Sequence, residues 1–153
     1  MMTLIIKVIC VYLAGVGFGM IVNLPLRAFN VAGLSGVVGW LVYYLVSLLP
    51  SAGLGISNFC GAMAIGLFSM IMARIMKIPS IVFDVPGLVP LVPGSQAYLV
   101  VKSFTVGDSH LLGLYAAQLV WISGSIALGF IAAEGVFRVW QQIKAYRSIF
   151  KRS

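Results

Sequence analysis

The sequence predicts an all-α integral membrane protein, a single transmembrane domain that takes in residues 1–153. Hydrophobic residues make up 61% of the chain, and its mean hydropathy is +1.11. Only 8% of the residues are charged, whereas a soluble domain typically has about 25%. The apolar residues also fall into runs of the length that a helix needs to cross a bilayer, about 20 residues. We therefore expect a helical bundle in the cell's inner (plasma) membrane that crosses it several times.

Five apolar segments are candidates for membrane crossings. They are residues 3–22, 33–49, 58–76, 79–101 and 110–137, followed by a basic tail at 138–153. Asn23 and Pro25 are stop signals for the first helix, and Pro50 is a stop signal for the second. The tail is expected to continue as an amphipathic helix on the cytoplasmic membrane surface, where basic side chains favour anionic lipid.

Small residues at four-residue spacing predict close helix packing in two of these segments. The first segment carries Gly15 and Gly19, and the last carries Ser125, Gly129 and Ala133. Small side chains let two helix backbones approach each other inside a membrane. The sequence does not show which helices are the partners.

The fourth segment differs from the others because prolines interrupt it. Residues 79–98 read PSIVFDVPGLVPLVPGSQAY and hold four of the six prolines in the chain. Proline lacks an N–H group, so a helix here would leave the carbonyl groups of Val82, Pro86 and Val89 without partners. In a membrane such groups survive only where protein or water surrounds them. We therefore expect a Pro/Gly-broken fourth helix that lines a cavity, as in transporters whose discontinuous helices bind cargo.

The positions of the basic residues predict the topology. With five crossings, the amino end outside and the carboxyl end inside, only Lys7 and Lys102 lie outside. The eight basic residues inside are Arg27, Arg74, Lys77, Arg138, Lys144, Arg147, Lys151 and Arg152. If residues 79–101 entered and left on one side, four basic residues would lie inside and six outside. The positive-inside rule therefore favours five crossings. No basic face of a soluble domain is visible, so nucleic-acid binding is not expected.

Two acidic residues, Asp84 and Glu134, fall within predicted crossings. Ionisable residues inside a membrane usually face a cavity or a partner. Because burial disfavours the charged form of a carboxyl group, both are candidates for proton coupling. Two alternatives stay open: Asp84 could cap backbone N–H groups, and Glu134 could pair with Arg138 one turn later. Asp108 precedes the last apolar run and is expected to cap that helix.

Neither a catalytic centre nor a cofactor site is expected. Cys10 and Cys60 lie far apart, and His110 is the single histidine, so no metal site or disulfide framework is predicted. The glycines at 87 and 94 lack the Lys-Ser/Thr pair of a phosphate loop, and Gly15 and Gly17 lack the third glycine of a dinucleotide fingerprint. The chain is therefore expected not to be an enzyme.

Two motifs resemble those of the threonine/serine exporter family. The longer one, from Pro86 to Tyr98, reads PGLVPLVPGSQAY. The shorter one, from Asn23 to Ala28, reads NLPLRA and is followed by Gly33 and Gly36. The motifs occur in the order in which the family has them, and the similarity covers nearly the whole chain. The chain is most similar to the family's small membrane subunit, which corresponds to the carboxyl-terminal half of the one-chain exporters.

The resemblance implies a half-transporter that acts with a larger membrane subunit similar to the family's amino-terminal half. It also implies export of threonine and serine by proton antiport, or of dicarboxylates such as succinate, to which some two-subunit members are linked. Membrane lipid surrounds such a chain, and a second copy of it is a further candidate partner. The motif residues that carry over to a substrate path are Asn23, Pro25, Arg27, Pro86, Gly87, Pro90, Pro93, Gly94, Ser95 and Tyr98. Asp84 joins this path on its chemistry alone, because the family is expected to have an apolar residue there.

The residues leave three functions to weigh. In an exporter subunit, freed carbonyl groups and the hydroxyl groups of Ser95 or Tyr98 would meet the substrate, and helix ends would receive its carboxylate. Arg27 could contact an anion through its forked donors or serve only as a topology charge. A purely structural subunit is the second reading, since few polar residues occur in the crossings. A membrane-embedded enzyme would need a polar catalytic cluster that the sequence lacks.

Overall fold

The computed structural model describes residues 2–50 and 52–150, with side chains as far as Lys144. Every regular element in these ranges is helical, which confirms the all-α prediction for them. The α-helices are α1 (Met2–Ile21), α2 (Phe29–Ser47), α3 (Leu54–Met76), α4 (Ile81–Leu88), α5 (Gly94–Val106) and α6 (Ser109–Phe150). Two 3₁₀ turns, Leu26–Ala28 and Val89–Leu91, precede α2 and follow α4.

Four helical segments of the described chain are long and apolar enough to cross a membrane. They are Met2–Ile21, Leu26–Ser47, Leu54–Met76 and Ser109–Lys144. The proposed fourth crossing, residues 79–101, instead comprises α4, a 3₁₀ turn and most of α5. Five crossings and their orientation therefore stay predictions.

The basic tail predicted at 138–153 begins inside α6, which continues without a break from Ser109 to Phe150. Of its basic side chains, Arg138 and Lys144 fall within the described residues. The predicted surface positions of Arg147, Lys151 and Arg152 lie outside the described side chains.

The bundle is built by backbone-to-backbone packing at small residues. A Cβ placed on Gly15 of α1 would lie 3.1 Å from the Cα of Gly33 and 3.2 Å from the carbonyl oxygen of Ala32. These distances are shorter than ordinary van der Waals contact, so the small residues set the close approach of α1 to α2. The partner of the first small-residue motif is therefore α2.

The second small-residue stripe packs α6 against α3. Gly129 lies so close that an added Cβ would be 2.5 Å from the carbonyl oxygen of Phe59. Ser125 faces Gly55 near the start of α3, and Ala133 faces Gly66 further along. Because the contacts occur in the same order along both helices, α3 and α6 are parallel. The predicted close packing of this stripe is present.

An antiparallel hairpin projects beyond the amino-terminal end of α3. Trp121 is level with the first turn of α3, so the first three turns of α6 extend past it and pack against α5. The hairpin turns at Gly107, which has a positive φ of 79°. The Oδ1 atom of Asp108 accepts hydrogen bonds from the backbone N–H groups of His110 and Leu111, both at 3.1 Å. The predicted helix cap at Asp108 is therefore confirmed.

The prolines act differently from one another in the fourth segment. α4 runs through Pro86, and the backbone N–H of Val89 donates to the Pro86 carbonyl in a 3₁₀ bond. The Pro86 carbonyl was expected to lose its partner but is satisfied by this shorter bond. Helical geometry stops after the 3₁₀ turn, where Val92 has a ψ of 128°, and resumes at Gly94. The interruption thus lies at Val92 and Pro93.

Replacing Gly129 with alanine should destabilise the protein by about 1–3 kcal/mol, because a backbone oxygen on α3 cannot move aside as a flexible side chain can. Gly124→Ala on the same helix is the matched control. An added Cβ there has no atom within 4 Å, and alanine favours the helix by about 0.5–1 kcal/mol. Thermal unfolding of both variants in detergent measures the difference, and equal midpoints would contradict the close contact of α3 with α6.

Candidate functional site

Helix α4 is pressed directly onto α2. Phe83 is fully buried, and Pro86 and Gly87 are buried beside it. A Cβ on Gly87 would collide with the hydroxyl oxygen of Ser35 on α2. The absence of a side chain at Gly87 thus lets the α4 backbone reach a polar side chain inside the bundle.

A cluster of hydroxyl groups surrounds the carboxyl group of Asp84. The Ser35 hydroxyl donates to the carbonyl oxygen of Phe83 at 3.1 Å, and the Oγ atoms of Ser35 and Ser69 are 3.4 Å apart. Ser69 on α3 and Ser80 before α4 lie next to the Asp84 carboxyl group. We call Ser35, Ser69, Ser80 and Asp84 the α4 polar cluster.

One oxygen of this cluster lacks a partner. The Oδ1 atom of Asp84 is buried and accepts no hydrogen bond from the described residues. A buried charge without a donor is costly unless a proton or a cation compensates it. The cluster is therefore suited to bind and release a proton or a small cation. The described residues contain no group of three or more His, Cys, Asp or Glu side chains that could hold a metal ion.

A small polar pocket lies at the other end of α4, beside the interruption of the helix. It has a volume of about 190 Å³ and includes Pro90, Pro93 and Ser95 from the longer motif. Tyr43 of α2 and Asn58 of α3 form the opposite wall. We call it the proline-turn pocket. It offers hydroxyl and amide groups, and no charged side chain lines it.

Two helix amino-terminal ends converge on this pocket. Leu54 is the first residue of α3, and Ser95 lies in the first turn of α5; both line the pocket. The first N–H groups of a helix have no partner within it, and the helix dipole makes this end positive. The Gly94 N–H at the start of α5 already donates to the Val92 carbonyl at 2.7 Å. The other N–H groups of the two first turns make the pocket suited to a carboxylate without a charged side chain.

The sequence matches one family model over residues 7–136, that of the family described as "Threonine/Serine exporter, ThrE". The matched range contains both motifs, the α4 polar cluster and the proline-turn pocket. The chain belongs to the threonine/serine exporter family. The match confirms the resemblance that the two motifs indicated, and no solved structure matches the chain. With four apolar helices of spanning length, membership of this family identifies a membrane protein of a transport family and points to a non-enzymatic role.

The residues of the shorter motif lie far from the proline-turn pocket. Asn23, Pro25 and Arg27 are exposed in the connection between α1 and α2. Tyr43, which lines the pocket, is near the other end of α2, about four helical turns away. In the exporter chain Asn23, Pro25 and Arg27 therefore do not reach the proline-turn pocket. Ala28 of the same motif is nevertheless buried in one cluster with Phe83, and Gly36, which follows the motif, lies beside Gly87 and Pro90.

The longer motif is divided between the interior and the surface. Pro86 and Gly87 pack in the bundle, whereas Pro90, Pro93 and Ser95 line the pocket. The Ser95 hydroxyl donates to Oε1 of Gln96 at 2.7 Å. Gly94 opens α5 and is exposed, and Tyr98 is 67% exposed and does not line the pocket.

Glu134 lies on an exposed face of α6. Its Oε1 atom is 2.6 Å from Nη2 of Arg138, and 58% of its side chain is accessible. This is the ion pair that the sequence offered as the alternative to a role in proton coupling. Asp84 and Glu134 thus occupy different surroundings, and only Asp84 belongs to the α4 polar cluster.

Sequence reasoning missed four of the polar residues that form the two sites. Ser35 stands between Gly33 and Gly36, a pattern that suggests only helix packing. Ser69, Ser80 and Asn58 are single polar residues next to or within apolar runs. That these residues lie next to the proline-rich segment becomes visible only in the assembled bundle.

Replacing Asp84 with asparagine should raise the stability of the protein by about 1–3 kcal/mol, since it removes a charge from a carboxyl group whose buried oxygen has no donor. Glu134→Gln is the control for loss of a carboxylate. It breaks an exposed pair, worth about 0.3–0.5 kcal/mol. Unfolding midpoints in detergent compare the two, and a lower midpoint for Asp84→Asn would show that the carboxylate makes a structural contact.

Proposed function

We propose that this chain is a transport subunit of a threonine/serine exporter that moves small hydrophilic amino acids out of the cell by proton antiport. One observation carries the proposal. A single interrupted helix holds an unpartnered carboxyl oxygen at Asp84 and, about 10 Å further along its axis, a polar pocket. A carrier that exchanges a proton for a substrate needs both kinds of site, and needs them on an element whose movement can affect both.

The proline-turn pocket suits an amino acid better than a larger ligand. Pockets for drug-sized molecules have volumes of about 300–1,000 Å³, and this one is smaller, about 190 Å³. The two helix ends would receive the substrate carboxylate. The side chains of Asn58, Ser95 and Tyr43 would meet its ammonium and hydroxyl groups. These contacts require no charged residue, in agreement with the lining of the pocket.

Export of dicarboxylates such as succinate is the competing substrate class. Two helix amino-terminal ends meet at the pocket, and each of them favours an anionic group. A dicarboxylate would place one carboxylate at each end, whereas threonine or serine would place one carboxylate there and direct its ammonium group to Asn58. Transport measurements with both classes distinguish the two.

In the proposed mechanism Asp84 is the proton-coupling residue. Its neighbours in the α4 polar cluster are hydroxyl groups, which can donate to the ionised carboxyl group or accept from the protonated one. Glu134 already has a partner in Arg138. The proposed topology retains five crossings, with residues 79–101 as the fourth, the amino end outside and the carboxyl end in the cytoplasm. The proposed location is the inner (plasma) membrane.

The proposed assembly includes a larger subunit that completes the transport path. Among the described helices α5 packs mainly against α6. It leaves Tyr98, Val101 and Phe104 between 64% and 75% exposed. Helices of a second subunit would cover part of this hairpin, with lipid around the remainder.

Deletion of this gene together with the gene of its larger partner should abolish most efflux of threonine and serine from cells loaded with a threonine-containing dipeptide. Restoring both genes should restore it. Release of succinate is measured in the same cells. Unchanged amino-acid efflux combined with reduced succinate efflux would assign the dicarboxylate class instead.

In the restored strain, Asp84→Asn and Ser69→Ala should each reduce threonine efflux about tenfold or more, because they remove the proton-binding group and a hydroxyl beside it. Ser123→Ala is the matched control for the serine change, since Ser123 is exposed on α6. Protein levels in the membrane are compared by immunoblotting. A larger loss for Glu134→Gln than for Asp84→Asn would contradict the assignment of the coupling residue.

For the proline-turn pocket, Asn58→Ala should raise the threonine concentration that gives half-maximal transport, with a smaller effect on the maximal rate. Asn30→Ala is the control. Asn30 is exposed, and its Oδ1 accepts a hydrogen bond from Tyr12 at 2.9 Å. Initial rates in proteoliposomes of the assembled exporter provide both parameters. Equal effects of the two substitutions would exclude Asn58 as a substrate contact.

A further inference from the structure

A second polar pocket lies at the opposite end of the bundle from the proline-turn pocket. It has a volume of about 400 Å³ and opens between the end of α3, the connection at residues 77–80 and α6. Its apolar lining residues are Met70, Ala73, Ile78 and Phe137. Its polar lining residues are Arg74, Ser80, Glu134, Arg138 and Gln141. We call it the arginine pocket.

The charges of the arginine pocket are unequally matched. Arg138 pairs with Glu134, so these two side chains neutralise each other. The Arg74 guanidinium lies 5.1 Å from the ring centre of Phe137 and forms no ion pair among the residues whose side chains are described. Lys77 caps the same helix and adds a second positive charge nearby. The pocket therefore has a net positive charge. The guanidinium group of Arg74 can donate two parallel hydrogen bonds to an anion.

The surroundings place this pocket at the level where the bilayer meets water. Arg74 lies in the last turn of α3, whose apolar run ends there. On α6, Trp140 lies one turn past the pocket residue Phe137. The Lys144 ammonium group is 4.9 Å from the centre of the Trp140 ring. Tryptophan and lysine with this placement are typical of the interface between the hydrocarbon and the headgroups.

We propose that the arginine pocket binds the phosphate group of an anionic phospholipid. The phosphate contacts Arg74, and an acyl chain follows the lining residue Met70 out to Ile71 and Ile75, which α3 exposes beside the pocket. A soluble phosphate ester would use the guanidinium group alone. The exposed isoleucines are what favours a lipid, because they continue the apolar lining onto the outer surface of α3. Basic pockets between helices at a membrane surface bind acidic headgroups in this way.

This site is distinct from the proline-turn pocket, which lies at the other end of the bundle, and it shares only Ser80 with the α4 polar cluster. Lipid binding can therefore be measured on the purified chain without any transport assay.

The test uses the full chain in nanodiscs of phosphatidylcholine with increasing fractions of phosphatidylglycerol, and native mass spectrometry counts the lipids retained after release. The wild type should retain phosphatidylglycerol saturably. Arg74→Gln should lower the apparent affinity about fivefold. Arg74→Lys should retain part of the affinity, since lysine keeps the positive charge but cannot donate two parallel hydrogen bonds. Glu134→Gln should increase the affinity, because it frees Arg138 for the phosphate.

Lys144→Gln is the matched control, with the same loss of charge at the same end of the bundle but outside the pocket. An equal loss for Lys144→Gln and Arg74→Gln would show diffuse surface attraction and overturn the proposal. Weaker binding in Glu134→Gln would also overturn it, since it would indicate a ligand with a cationic group. Competition by millimolar glycerol 3-phosphate as effective as that by the lipid would assign the site to a soluble anion instead.

Discussion

Each backbone N–H and carbonyl group inside a membrane needs a hydrogen-bond partner from the protein, and this requirement governs the structure. Inside a membrane no water satisfies a carbonyl that proline has deprived of its donor, so the interrupted segment must lie against protein. Small residues make this possible. Because Gly87 has no side chain, α4 can lie on α2 where Ser35 donates to the backbone carbonyl of Phe83. Phe83 directly follows Val82, whose carbonyl loses its α-helical donor at Pro86. Ser35 thus adds a polar contact from a neighbouring helix on the turn that proline weakens, and the same turn carries Asp84 next to Ser69.

Few polar side chains are buried among the described residues: Ser35, Ser57, Asn58, Ser69 and Ser103. Three of these lie beside the interrupted segment, Ser35 and Ser69 next to the first half of α4 and Asn58 at the proline-turn pocket that follows. Elsewhere the helices pack through glycine, alanine and serine, as in the parallel pair of α3 and α6. In the proposed exporter, helix ends and hydroxyl groups would supply the polarity that a charged solute needs, since the chain has so few charged residues.

Much of the fold could be predicted from the sequence, because long apolar runs and proline positions determine where helices lie in a membrane. The stripe of Ser125, Gly129 and Ala133 and the cap at Asp108 could be predicted in the same way, since both depend on local spacing. The effect of Pro86 could not, because a 3₁₀ bond to its carbonyl depends on how the following residues turn. Nor could Ser35 and Ser69 be identified as neighbours of Asp84. Single serines in apolar helices have no distinctive pattern, and only the packing of α2, α3 and α4 brings them together. The family resemblance was correct, yet it did not show that Arg27 and the proline-rich motif lie at separate places.

The uninterrupted length of α6 has a mechanical consequence. With 42 residues it is about 63 Å long, roughly twice the hydrocarbon thickness of a bilayer. Its close contacts with the glycines of α3 and its own Gly129 run from Trp121 to Ala133, around the middle of the helix. A rigid rod held at its midpoint behaves as a lever. A small rotation there would swing the α5 hairpin one way and the basic end of α6 the other.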